Sequence, residues 1–114
     1  MQECIFCKII NRELPAEIVY EDEQILAFKD VNPVAPVHLL LIPKKHISGI
    51  SDLKEEDAGI MGRMQILAAN LAAEMGLAQD GFRLVCNCGR DAGQLVMHIH
   101  YHLLSGREFQ WPPG

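Results

Sequence analysis
Three of the chain's five histidines stand two residues apart in His98-Ile99-His100-Tyr101-His102-Leu103-Leu104. Alternate side chains of a β-strand share a face, so His98, His100 and His102 would line one side and Ile99, Tyr101 and Leu103 the other. A helix would scatter them, because residues two apart do not face each other there. A lone histidine in an apolar run is ordinarily a satisfied core residue. Three in strict alternation are a different matter, because clustered buried imidazoles are costly to keep. Two chemistries suit the arrangement. Histidines at i and i+2 can converge on one metal ion, or one imidazole can attack as a nucleophile while its neighbours hold charge.

A second group lies near the N-terminus. Cys4-Ile5-Phe6-Cys7 reads as half of a zinc site, a redox pair, or two plain thiols. The redox reading expects a preceding strand, which this position lacks. No second Cys-x-x-Cys follows, so further ligands of a zinc site would be histidines or acids. Ile5, Phe6 and Ile9 could equally be core. The other two histidines are His38, at the start of an apolar run, and His46, in a Lys44-Lys45-His46 turn that alone reads as a solvated basic surface.

The 114 residues are expected to form one domain over 1–114, large enough to bury a real core. The formal net charge of −5 argues against a surface that coats nucleic acid, which is normally basic, but leaves room for a single nucleotide. No basic leader precedes a long apolar region. The longest apolar run, Val37 to Ile42 around His38, is far too short to span a bilayer. The expectation is a cytoplasmic protein with neither nucleic acid nor membrane as partner, whose four cysteines are thiols or metal ligands rather than disulfides.

Several elements must position these groups. Cys4 to Ile10 reads as a short helix or tight knuckle, ended by Leu14-Pro15-Ala16. Ile18-Val19-Tyr20 and Ile25-Leu26-Ala27-Phe28 read as a hairpin, closed by Asp30-Val31-Asn32-Pro33. Val37 to Pro43 is nearly continuous in apolar residues and reads as a central strand. Asp52 is the expected cap of the one long helix, with Glu55 three residues on. Apolar residues then recur at helical spacing to Met75, and Gly76 is the expected stop. Phe82 to Cys86 and the histidine stretch complete five strands. The tail from Ser105 is irregular, and Trp111 within it should find a surface to bury against.

The residues as a set resemble the histidine triad family. The resemblance rests on the triad stretch, Gly93-Gln94 before it, Asn87, Asp30-Val31, His38, Pro43-Lys44-Lys45-His46 and the Cys4-to-Ile9 segment. The ending Trp111-Pro112-Pro113-Gly114 is similar to that of the Hint branch, the purine nucleoside phosphoramidases. What this implies is an α+β fold: a five-stranded antiparallel sheet, one long helix and a short N-terminal helix, with the sheet continued across a homodimer. The implied activity is hydrolysis of a purine nucleoside 5′-phosphoramidate to the monophosphate (AMP or GMP) and an amine. By the same resemblance His100 is the nucleophile, with His102 and His38 in its hydrogen-bonding circle. Asp30 would accept from the ribose, and Ile5, Phe6, Phe28 and Val31 would wall the purine. The implied binding set also includes Gln94 and Trp111. The chemistry is sound in itself: neutral imidazole is nucleophilic near pH 7. The phosphoryl oxygens gain charge and need aimed donors, which His102, Asn87 and backbone N–H groups near Gly93 can supply without a metal.

Two positions depart from the branch. Leu95 stands where a Ser or Thr commonly follows Gly-Gln, and Ser105 stands where Gly-Gly is usual. The cysteine pair is similar to that of some bacterial members, which implies a structural zinc ion on Cys4, Cys7, His46 and His98. Three other readings stay open. One is a dinucleoside polyphosphate hydrolase of the same family. Another is a non-catalytic, zinc-stabilised nucleotide-binding or adaptor module. The last is a metalloenzyme with its ion on the triad face.

Overall fold
The computed structural model describes residues 4–114. Helix α1 spans Ile5–Ile10, strand β1 Ile18–Glu21, β2 Ile25–Lys29 and β3 Val37–Pro43. Helix α2 spans Ala58–Glu74, β4 Arg83–Val85 and β5 Tyr101–Ser105. The strands form one antiparallel sheet in the order β1-β2-β3-β5-β4. The apolar run Val37–Pro43 thus holds the central place that its composition predicts, and the α+β architecture follows the expectation.

Strand alternation sends two sets of side chains to opposite faces. Ile25, Ala27, Leu39, Leu41 and Leu103 pack against Met64, Leu67, Ala68 and Leu71 of α2. Leu26, Phe28, Leu40 and Ile42 pack against Phe6 and Ile9 of α1. Leu41 and Leu103 are fully buried, and truncating either to Ala would cost about 2–5 kcal/mol. The β3–β5 register sets Leu40 opposite His102 and Leu104 opposite His38. Both histidines therefore belong to the α1 face, which is the face that carries the site.

Two local expectations need correction. Asp52 does not cap the long helix: Ile50–Asp52 closes a separate 3-10 turn, and Leu53 is extended. A second 3-10 turn, Glu55–Asp57, runs into α2 at Ala58. There Asp57 accepts the Lys54 N–H at 3.0 Å and pairs with Lys45 at 2.7 Å. At its other end α2 stops as expected. Gly76 has φ +75°, and the N–H groups of Gly76 and Leu77 return to the carbonyls of Ala73 and Ala72.

The other correction concerns the histidine strand, which starts at Tyr101 rather than His98. Tyr101 pairs with Leu41, so the same register would next set Ile99 against Pro43. Proline has no N–H to give to the ladder. The Ile99 N–H goes instead to Ile47 O at 2.6 Å, and Pro43 O faces His98 Nε2 at 2.8 Å. At the end of β5, the Ser105 hydroxyl donates to Gly81 O at 2.8 Å. Gly106 follows at φ +97°, and a Cβ there would lie 2.7 Å from Pro36 Cβ.

Candidate active site and metal centre
The triad keeps its shared face although two of its members precede the strand. Phe6 of α1 meets the rings of both His98 and His100 edge-on, at centroid distances of 5.9 and 5.1 Å. The His100 and His102 rings are 4.9 Å apart. Ile99 is buried, and Leu103 is buried on the opposite face, in the core against α2.

Hydrogen-bond partners fix the ring tautomers. His100 Nδ1 lies 2.7 Å from the His98 carbonyl. A carbonyl only accepts, so Nδ1 carries the proton and Nε2 keeps its lone pair. His38 Nδ1 accepts the Val34 N–H at 3.1 Å, which leaves the His38 proton on Nε2. That atom is 2.9 Å from His102 Nδ1 and 3.3 Å from an Asp30 carboxylate oxygen. With His102 Nδ1 as acceptor, the His102 proton sits on Nε2. The arrangement offers one bare ring nitrogen on His100 and one N–H donor on His102.

Burial sets the charge of this group. His38, His100 and His102 are all held below the ordinary imidazole value, chiefly by desolvation. Asp30 opposes the shift at each of them. His102 is brought down to about 4, with repulsion from His100 and His38 adding to burial. The rings are therefore neutral near pH 7, the state in which an imidazole attacks.

Beside this group lies a metal-ligating set. One ligand atom each from Cys4, Cys7, His46 and His98 falls within 4.8 Å of all the others. His98 Nδ1 is 3.4 Å from Cys4 Sγ, 3.6 Å from Cys7 Sγ and 3.2 Å from His46 Nδ1. Cys7 Sγ is 3.3 Å from His46 Nδ1. A tetrahedral ion with M–S near 2.3 Å and M–N near 2.0–2.1 Å has S···N edges of about 3.6 Å and N···N edges of about 3.3 Å. The four residues fit such an ion. His98 Nε2 donates to Pro43 O, so its bare Nδ1 faces the set. Burial and the neighbouring Cys4 push the Cys7 thiol up to about 11, a penalty that a cation on the sulfur reverses. Cys4 also caps α1, its sulfur accepting the Cys7 N–H at 3.3 Å.

The other expected residues are distributed unevenly. Phe6 and Phe28 meet at 5.6 Å, but both are buried, whereas Ile5 is partly exposed and Val31 is 85 % exposed. Asp30 turns one oxygen to His38 and the other to the Asn32 N–H. Gln94 is buried, and its amide is committed to backbone: it donates to Ser48 O and Val96 O and accepts from Gly89 N–H. The Gly93 N–H is likewise spent on Arg90 O. Asn87 is half-buried just beyond β4. Leu95 is 91 % exposed and, with Ile5, Val96 and Met97, lines a cleft of about 380 Å³ beside Cys4 and His46. Trp111 is 82 % exposed, so the expected burial of its indole is not met within one chain.

Four partners escape a reading of side-chain types. The Pro43 and Ile47 carbonyls, the Val34 N–H and the His98 carbonyl all act through main chain, which every residue offers alike. The one available signal is proline at position 43, where the ladder must fail.

The sequence and fold recur among known proteins. Residues 11–109 match the HIT domain family. A HIT-like protein of Synechocystis sp. is 54 % identical over 113 residues, covering 99 % of this chain and 98 % of its own. The crystal structure of a HIT family hydrolase from Legionella pneumophila aligns with a TM-score of 0.96 at 51 % identity, covering 98 % of this chain and 100 % of that one. A HIT family hydrolase from Clostridium thermocellum aligns at 0.93 and 49 %, over 96 % of each chain. Among the described residues no helix is long and apolar enough to cross a membrane. With the motif, the sheet order and the sequence in agreement over nearly its whole length, the chain belongs to the histidine triad family.

Proposed function
We propose that the protein is a purine nucleoside phosphoramidase, working through a nucleotidyl-histidine intermediate. The observation that carries this reading is the bond from His100 Nδ1–H to the His98 carbonyl, because it leaves the Nε2 lone pair for phosphorus. In the first step Nε2 bonds to phosphorus, the P–N bond breaks, and the amine departs with a proton from solvent, while His102 Nε2–H donates to a phosphoryl oxygen. In the second step water attacks phosphorus, the P–Nε2 bond breaks to return His100 Nε2 its lone pair, and the water proton passes to solvent. The His38–His102 contact and the Asp30 carboxylate beside it hold His102 in the tautomer that donates from Nε2. Asp30 retains lone pairs for ribose hydroxyls. Among the described residues the Leu95 N–H meets no protein acceptor, so it is available to a phosphate oxygen.

The metal reading is a zinc ion on Cys4, Cys7, His46 and His98. A Cys₂His₂ set is the composition of a closed structural site, with no ligand position left for substrate. The assembly reading is a two-fold homodimer whose tail, residues 105–114, lies near the interface. Exposed Trp111, partly exposed Phe82 and the three-residue edge strand β4 support it.

Incubation with adenosine 5′-phosphoramidate, with and without chelator, tests the activity. AMP is the expected product. Faster cleavage of diadenosine polyphosphate would favour the polyphosphate hydrolase, and AMP binding with no cleavage of either substrate would favour the adaptor module.

A further inference from the structure
We infer that the Cys4/Cys7/His46/His98 cluster governs the reactivity of His100 through His98, rather than only holding the fold together. The inference rests on the reading of His100 as the nucleophile.

His98 is joined to its surroundings at three atoms. Its Nδ1 faces the cluster, its Nε2–H reaches Pro43 O at 2.8 Å, and its carbonyl receives His100 Nδ1–H at 2.7 Å. The third contact is the one that fixes the nucleophile's tautomer, so whatever moves His98 moves it. Leu95 to His100 has no strand ladder to hold it, because β5 pairs with β3 only from Tyr101. In place of a ladder the segment has the His98 ring and the Ile99–Ile47 bond.

A second route runs through α1. Cys4 and Cys7 flank Phe6 in sequence, and Phe6 packs edge-on against His98 and His100. Only six residues long, α1 cannot hold itself as an isolated helix. Its place on the sheet depends on the Phe6 and Ile9 packing and on what the two thiols grip. Without a cation, two thiols and two imidazoles converge within 4.8 Å, with the bare His98 Nδ1 directed inward. The His98 ring is then held only from the side of Pro43 O and Phe6. With a soft tetrahedral cation bound, the ring is pinned at both nitrogens and the carbonyl between it and His100 is fixed. His98 is thus a positioning residue, and cluster occupancy is a control on the catalytic strand.

The test reads the His100 Nδ1 proton by ¹H–¹⁵N NMR in protein as purified, after chelation, and after zinc is restored, with circular dichroism as a check on folding. Chelation is expected to turn a protected proton into one that exchanges with solvent, and to lower kcat on adenosine 5′-phosphoramidate about tenfold, as loss of an outer-shell partner typically does. Zinc should restore both. A folded, metal-free protein with an unchanged proton and unchanged kcat would overturn the inference. Should the chelated protein unfold, His98→Cys keeps four ligands but removes the ring: lost protection with metal retained is the expected result, and intact protection overturns the idea. Failure of the parent reading looks different. Its mark is a His100→Ala protein that still turns over, whatever the proton shows.

Discussion

Two pairs of histidines, about one strand apart, show how little decides what a histidine pair does. His46 Nδ1 and His98 Nδ1 stand 3.2 Å apart; His38 Nε2 and His102 Nδ1 stand 2.9 Å apart. On the far side of His98 is a backbone acceptor, the Pro43 carbonyl, which draws the proton to Nε2 and bares Nδ1. On the far side of His38 is a backbone donor, the Val34 N–H, which keeps Nδ1 bare and drives the proton to Nε2. The gap in the second pair is filled by that proton, with the Asp30 carboxylate alongside. The gap in the first pair holds the bare His98 Nδ1 and two sulfurs, and it is shaped for a cation. One main-chain partner, accepting or donating, separates a set suited to a cation from a hydrogen-bonded imidazole pair.

His100 stands between the pairs, so removing it should have the largest effect. His100→Ala is expected to lose roughly 10³-fold or more in phosphoramidase turnover while still binding AMP, since a residue that forms the bond has no substitute. Trapping a nucleotidyl group on another residue would refute this. His102→Ala removes an N–H donor but spares the nucleophile. Steady-state kinetics should show a loss of roughly 10²–10³-fold, the usual cost of one charge-stabilising donor, and a loss equal to that of His100→Ala would merge the two roles.

The metal side is broken by Cys4→Ser. Metal analysis should fall from about one zinc per chain to none, as one four-ligand set requires. The melting temperature should drop by at least roughly 4 °C, the shift that about 1 kcal/mol gives in a domain near this size. An unchanged melting temperature in metal-free protein would count against the site.

A pH series sharpens the contrast. Burial holds His102 and His98 at about 4 and keeps His38 and His100 low, whereas unfolded histidine titrates near 6.5. Between those values the unfolded chain binds more protons than the folded one. Stability is therefore full above about pH 6.5 and falls as the pH drops toward 4. Melting temperatures should decline over that window, more steeply for the metal-loaded protein than for Cys4→Ser, because protons also compete for His46 and His98. Equal slopes would argue that no ion is held there. The smallest effect is expected from Leu95→Ser. Leu95 is exposed rather than packed, so the change should raise the rate a few-fold at about the strength of one added hydrogen bond, and a decrease would mean the hydroxyl finds no phosphate.

What was legible in the sequence was whatever side-chain type and period encode. Val37–Pro43 announced a central strand by its unbroken apolar character, and the long helix announced its buried face at Met64, Leu67, Ala68, Leu71 and Ala72. The cluster of Cys4, Cys7, His46 and His98, expected from family likeness, does converge. Less legible were the points where backbone decides. Several acids precede α2, and only the fold shows that Asp57, not Asp52, closes its entry turn. The histidine alternation pointed to a strand from His98, yet pairing there needs an N–H that Pro43 lacks. Gln94 looked like a ligand by its place in the motif, while its amide is spent on three backbone groups of two loops. Trp111 asks for a surface that one chain does not offer.

The exit from β5 places two small residues side by side with opposite freedom to vary. Ser105 is buried and its hydroxyl holds the Gly81 carbonyl. Next to it, Gly106 combines a left-handed backbone with Pro36 Cβ 2.7 Å from where any side chain would begin. In a saturation library Ser105 should therefore accept Gly or Ala at modest cost. Position 106 should accept nothing, while Gly59 and Gly62, which face open space on the long helix, take most residues. The chain's tolerance for change would then run inversely to its visible chemistry, with one of the strictest positions in the tail held by a residue that has no side chain at all.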